Sequence, residues 1–460
     1  LKTLTRILIF ALVGTLMGGM AWPEKKARKL PVGAYIKSAK IDILSGEFER
    51  YQTAIAMLDS LFMYYGPHAE GLYLMGQIMV DFIEKTASLK EKAPYLEKMV
   101  AYIDSLDMCC GNKKIKKSYR KDCKEFTVFS DSLKVKYWRE FLNAGINHLS
   151  SAEQLHKDFE AQADSSIRSY LEKDLETNVD NAIENMKLAI IATPDSSRTY
   201  LIIDKAYGLK GDYKSGIEWL QKGLERSGDS STIVPSIAYD YIQLGDYCGA
   251  IPYYKARVMR NPDDVITLTN LSICYNNCNM YDSAMGIYHR ILTAQPENAE
   301  VITNVGLYYN TKARMASDSA SKYQNEENRE LAAAWRDRRK EAFDSSRVYF
   351  RHAFELKPED AYVADQYGVV CALLGNYQEA VIGFTKVAKL KPENSSNWLS
   401  LGDCHLTLKQ FDDAISAYEK VVELEPDNVS VWEHLKDLYF ETGSKNKLAE
   451  VEKKLNELKQ

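Results

Sequence analysis

The chain has 460 residues and balances 59 lysines and arginines against 64 aspartates and glutamates, a formal charge of −5. That length has room for two or three ordinary domains. The near-neutral balance argues against a general nucleic-acid binder, whose working surface carries a basic excess.

At the N-terminus, Lys2 and Arg6 precede an apolar run from Ile7 to Ala21 that ends in the small residues Gly19 and Ala21. This is the pattern of a secretory signal peptide over residues 1–21, cleaved after Ala21. No cysteine lies at the cleavage region, which argues against a lipoprotein. The alternative is a retained membrane anchor. The 16 residues from Ile7 to Trp22 are short for a span. Yet Lys25, Lys26, Arg28 and Lys29 follow them, and positive charge resists translocation. The expected location is therefore exported, periplasmic or extracellular, with membrane contact only through this segment if it stays uncleaved.

Residues 34–136 read as helical hairpins. Tyr51, Ala54, Leu58 and Leu61 fall at helical spacing before Gly66, and Leu72, Met75, Gly76 and Met79 begin the next helix. A basic run, KKIKKSYRKDCK from Lys113 to Lys124, suits an anionic lipid, a polysaccharide, an acidic protein or plain solvation. Cys109, Cys110 and Cys123 bracket it, and a bridge from Cys123 to one of the other two is expected, which would itself support export. In residues 137–196, a helix around Trp138, Phe141, Gly145 and His148 pairs with one running through Ala182, Met186 and Ala189 to Pro194. Gly145 and Ala182 lie 37 apart where the later hairpins have 12, so about 25 residues are inserted.

From there prolines mark a period. Pro262 follows Pro194 by 68 residues, Pro296 follows by 34, Pro358 by 62, and Pro392 and Pro426 by 34 each. Sixty-two is 34 plus an insertion of 28. Residues 197–298 hold three regular units, with Tyr241, Gly245, Tyr247, Ala250 and Tyr254 in one and Tyr275, Tyr281, Ala284 and Tyr288 in the next. In residues 299–360 the 28 extra residues divide into two lengths of 14, which predicts a helical spur reaching roughly 20 Å further. Ala316, Ala320 and Tyr323 are expected to face Leu331, Ala334 and Trp335 across it, with Trp335 the candidate spur contact. Residues 361–460 hold two regular units and a C-terminal repeat or capping helix. Cys274, Cys371 and Cys404 fall on first helices and read as buried thiols.

Ser395 to Asn428 carries Trp398, Leu401, Gly402, Phe411, Ala414, Tyr418 and Pro426 in turn, and in these positions the unit resembles the tetratricopeptide repeat, whose period is 34. The resemblance runs from Ser197 to the C-terminus, and residues 34–136 and 137–196 read as divergent and interrupted versions of it. It implies an all-α, right-handed superhelical α-solenoid of helix hairpins. It also implies a concave face built from the second, fifth, sixth, ninth and twelfth positions of each first helix. Those positions hold Asn270 and Asn304, Asn276 and Asn310, and the apolar Tyr239, Ile273, Leu307 and Tyr362. Paired asparagines resemble the ladders with which some helical-repeat proteins hold extended peptides. The lysine–asparagine clamp that some members use for a C-terminal carboxylate is missing between Ser231 and Asn428.

Catalytic signatures do not accompany these repeats: there is no phosphate-binding glycine loop, no HExxH and no paired CxxC. His148 and His156 are eight apart, too few ligands for a zinc site. The expectation is a non-enzymatic scaffold or assembly factor of a bacterial-type envelope, binding a protein or extended peptide, without cofactor, metal or nucleic acid. The alternatives are a membrane-anchored cytoplasmic adaptor, or the regulatory partner of a separate enzyme chain.

Overall fold

A proline followed two residues later by Asp or Asn starts each late hairpin in the computed structural model, which describes residues 29–458. Asp360 accepts from the N–H groups of Tyr362 (3.0 Å) and Val363 (3.3 Å), Asn394 from Ser396 (3.1 Å), and Asn428 from Val431 (3.3 Å). These are the donors that a helix start otherwise leaves unbonded. The first helices so begun run Ala361–Leu373, Ser395–Thr407 and Val429–Glu441. Each ends in a left-handed residue: Gly375 at φ 77°, Lys409 at φ 58° and Gly443 at φ 71°. The following N–H reaches back across the last turn, Asn376 to Cys371 O and Gln410 to His405 O at 2.9 Å each. The chain then enters the second helices Tyr377–Leu390, Phe411–Leu424 and Lys445–Leu458.

Within a hairpin the two helices meet where a small residue faces an aromatic ring. A Cβ on Gly402 would stand 2.5 Å from Tyr418, and one on Gly368 or Gly306 would stand 2.9 Å from Phe384 or Phe350. The ring fills the space the glycine leaves, and Phe350 and Tyr418 are fully buried there. The polar tips of the aromatics are also satisfied. Trp398 Nε1 donates to Pro392 O (2.9 Å), Trp432 Nε1 to Pro426 O (2.8 Å), and Tyr418 Oη to Asp403 (2.6 Å).

The described residues form two compact units, one ending at Tyr253 and the other beginning at Tyr254, inside the helix Tyr247–Arg260. Among them every regular element is helical. In the first unit the hairpins are Val32–Leu44 with Phe48–Tyr65, Ala69–Lys85 with Leu89–Gly111, Cys123–Ala161 with Ser165–Ala192, and Ser197–Leu209 with Tyr213–Ser227, followed by Ser230–Gln243. Its largest core joins Tyr51, Leu58, Met75, Ile78, Leu96 and Tyr137. The basic run forms a loop with a short 3-10 turn, Lys117–Arg120, closed by a disulfide between Cys110 and Cys123. Cys109 stays a buried thiol, as do Cys274, Cys371 and Cys404. Residues 1–21, read as a signal peptide or anchor, lie outside the described residues.

The second unit continues with Val265–Asn277 and Tyr281–Ala294, then Ala299–Asn325 and Arg329–Leu356. This last pair contains the 28-residue insertion as an unbroken extension of both helices. Its seam is made of alanines: Ala313, Ala316, Ala320 and Ala332 are buried. The register differs from the expected one. Ala332 takes the inward place, whereas Leu331 is 41% exposed and Ala334 faces solvent. The inward face follows 332, 335, 343, 346, 350 and 353, a helical spacing that leaves 331 and 334 to the side. Trp335 is half-buried on that face, with the Arg338 guanidinium 4.5 Å from its ring centroid.

Candidate protein-binding face

Three first helices of the second unit carry the residues that the repeat positions single out. On Val265–Asn277 the spacing i, i+4, i+7 aligns Ile266, Asn270 and Ile273 on one face. Ile266 is 73% exposed and Ile273 37%, with Asn270 half-buried between them. Asn304 stands at the same repeat position of Ala299–Asn325, also half-buried. Among the described residues neither asparagine side chain has a hydrogen-bond partner, so both carboxamides keep their donor and acceptor capacity. On Ala361–Leu373 the same positions hold Tyr362, Asp365, Gln366 and Val369. Tyr362 is 51% exposed.

Asp365 is the anionic member of this set. Burial holds its carboxyl above the ordinary range, opposed by the hydrogen bond from Gln366 Nε2 (3.3 Å) and by the charge of Lys391. Asp365 makes no ion pair among the described residues, and the desolvation of such a half-buried carboxylate is relieved further when a partner brings a cation into contact. Sequence reasoning had not selected Asp365 or Ile266. The signal was present, since they occupy the fifth and second positions of their units.

The other expected residues are placed differently. Asn276 Nδ2 donates to Tyr288 Oη, and Asn310 Oδ1 accepts from Ser346 Oγ (2.7 Å), so each is tied to the second helix of its own hairpin. Each keeps only half of its carboxamide free. Leu307 packs against the core around Phe350 and Tyr367. Tyr239 belongs to the first unit, 56% exposed on Ser230–Gln243. The structure thus groups Asn270 with Ile266 and Ile273, and Tyr362 with Asp365, on first helices of one unit.

Several polar groups elsewhere are internally committed. Arg347 Nη1 donates to both Glu379 oxygens at 3.0 and 3.1 Å, and Tyr367 Oη donates to the same carboxylate at 2.8 Å. Burial works against the Glu379 charge, but Tyr367 and Arg347 outweigh it and hold the carboxyl below its ordinary range. His148 Nδ1 pairs with Asn178 at 3.0 Å, and His156 lies 3.5 Å from Glu160. Among the described residues no group of three or more His, Cys, Asp or Glu could hold a metal ion, and no helix is long and apolar enough to cross a membrane.

The tetratricopeptide repeat family model matches residues 397–428. No curated protein matches the chain. Among solved structures, the chain is similar to the MamA protein, at 19% identity over 44% of this chain and 96% of that one, TM-score 0.33. It is similar to TTC0263, a thermophilic TPR protein in Thermus thermophilus, at 19% identity over 44% and 96%, TM-score 0.28. It is also similar to YrrB, described as a TPR protein with an unusual peptide-binding site, at 18% identity over 46% and 96%, TM-score 0.29. Capped hairpins, glycine–aromatic contacts and proline stops recur at the 34-residue step on either side of the matched segment, so residues 397–428 are one unit of a longer array that is similar to tetratricopeptide repeats.

Proposed function

We propose that the chain is a non-enzymatic scaffold that holds an extended polypeptide on the first helices of its second unit. One observation carries the reading. Asn270 and Asn304, at the same position of successive repeats, keep unpartnered carboxamides while Ile266, Ile273 and Tyr362 remain exposed on the same set of helices. A carboxamide pairs with the N–H and C=O of any peptide backbone, which gives affinity without sequence demands. The apolar side chains then offer contact area, and Asp365 favours a ligand with a lysine or arginine in its reach.

The assembly role belongs to a bacterial-type cell envelope. Support comes from the signal-like pattern of residues 1–21 and from the Cys110–Cys123 disulfide, a bond that persists in oxidising compartments. A photo-crosslinker tests the site. Placed at position 362, it is expected to label bound peptides from a random display library. Placed at Ile382, 55% exposed on the second helix Tyr377–Leu390, it is expected to leave them unlabelled. Equal labelling from both positions contradicts the assignment.

A further inference from the structure

The loop between Cys110 and Cys123 has no part in the peptide-binding face, yet it holds the longest basic run among the described residues. Between residues 113 and 124 stand seven lysines and arginines and one acid, Asp122, in a chain whose total charge is −5. Lys113, Lys114, Lys116, Lys117 and Lys124 are exposed and make no ion pair among the described residues. Asp122 engages only the neighbouring Lys121, at 3.9 Å.

The loop is built rather than slack. The disulfide closes its ends, Ile115 N donates to Asn112 O (3.0 Å), and Arg120 Nε donates to Ile115 O (3.2 Å). Ile115 packs into the cluster of Ala69, Leu72, Leu106 and Cys109. The Tyr119 ring lies 5.2 Å from His68, whose imidazole burial holds below its ordinary pKa and so adds no charge. Apolar members are therefore pinned inward while the lysines are held outward together. Such a concentration of like charge costs folding free energy, and it is relieved when an anionic surface covers it.

The position of the loop identifies that surface. Tyr65 meets Tyr119 edge-on at 6.4 Å, Lys29 Nζ lies 4.5 Å from the Tyr65 ring centroid, and Tyr65 Oη donates to Leu30 O at 2.8 Å. The chain thus enters the first unit beside the loop. In sequence, Lys25, Lys26 and Arg28 lead into this point, preceded by the apolar run that ends at Trp22. The chemistry of the cations matters as well. Six of the seven are lysines, compact and mobile point charges, and the one guanidinium is tied inward. That set lacks the planar forks that read a particular carboxylate or phosphate geometry on a protein, and it suits a fluid plane of phosphodiester headgroups. Met108 and Val128, 56% and 66% exposed on the helices entering and leaving the disulfide, add apolar contacts at the interface.

We infer that the disulfide-closed loop 113–124 is a docking site for an anionic lipid surface, holding the first unit against the membrane.

Vesicle co-sedimentation of the full chain tests this. The protein is expected to pellet with vesicles of 30% phosphatidylglycerol in phosphatidylcholine far more than with phosphatidylcholine alone, and the difference should vanish in 0.5 M salt. Changing Lys113, Lys114, Lys116 and Lys117 to Gln should lower that partition coefficient by at least about tenfold with circular dichroism unchanged. A control with the same loss of charge, changing Lys389, Lys391, Lys445 and Lys453 to Gln, should retain it. Undiminished phosphatidylglycerol-dependent binding in the loop variant overturns the inference, as does an equal loss in the control. Retention on an acidic polysaccharide without any phosphatidylglycerol dependence also overturns it, and assigns the loop to that polymer. Asn270→Ala with Asn304→Ala should leave lipid binding intact, so the two sites fail or stand separately.

Discussion

Asp204 fits between its helices because Gly216 has no side chain: a Cβ on Gly216 would lie 2.6 Å from Asp204 Oδ1. Asp204 occupies the repeat position that Gly368 and Gly402 hold in later hairpins, and Gly216 the position of Ala250, Ala284, Ala380 and Ala414. The same spot lies 3.1 Å from Asp240 Oδ2 on the next first helix, and Asp240 is only 3% exposed. Two carboxyls so placed cannot both ionise freely. Burial, then the neighbouring Asp204, push Asp240 up to about 9, and burial raises Asp204 also. The titratable group facing them from the intervening helix is Tyr213, itself raised by burial and by Tyr239 and the two carboxyls.

The sign of the resulting pH dependence follows. Unfolded, an aspartate titrates near ~4. The folded state holds its proton up to about 9, so this contribution to stability is full below the unfolded value and is lost as pH rises toward the folded one. Asp240→Asn is expected to flatten the decline in stability between pH 5 and 9. At pH 8.5 it should stabilise the first unit by roughly 1–3 kcal/mol. Urea melts of both proteins across that range measure it, and parallel slopes would remove this account of the two carboxyls.

Lys409 sits at φ 58° at the end of Ser395–Thr407, where the corresponding residue of the preceding hairpin is Gly375. A left-handed lysine bears a steric cost that glycine does not. Lys409→Gly is expected to raise stability by about 0.5–1 kcal/mol, whereas Gly375→Lys should lower it by a similar amount. Thermal unfolding of the pair gives the comparison, and a stabilising Gly375→Lys would refute it.

Gly402 against Tyr418 is a contact with no slack, since a Cβ would stand 2.5 Å from the ring. Gly402→Val should cost roughly 1–3 kcal/mol through overpacking. Adding Tyr418→Leu makes room and should recover part of the loss, although the Tyr418–Asp403 hydrogen bond goes with the ring. Additive losses in the double variant would show that the two side chains do not compete for one space.

Much of this architecture was legible because each signal acts locally. Proline, the capping Asp or Asn two residues on, and the small–aromatic pairs lie within one 34-residue unit, and the helices form where those signals stand. The bridge from Cys123 was also legible, although the choice of Cys110 over Cys109 depended on which of two adjacent side chains turns into the core. The spur register was not, because Ala332, Ala333 and Ala334 give a helix no contrast between its faces. Nor were the internal partners of Asn276 and Asn310. Tyr288 and Ser346 lie 12 and 36 residues further on, and only the packed hairpin brings them within reach. Asp204 and Asp240 belong to different repeats, so their meeting is a product of stacking. What sequence did show was an acid at a glycine position and a glycine at an alanine position.

The central claim is that the unpartnered asparagines of the second unit grip a polypeptide backbone. Calorimetric titration of a display-selected extended peptide into native protein and into Asn270→Ala with Asn304→Ala tests it most directly, with thermal unfolding in parallel. Binding at least about tenfold weaker at an unchanged melting temperature is the predicted result, since each carboxamide–backbone bond contributes about 1 kcal/mol. An unchanged Kd in the double variant would contradict it.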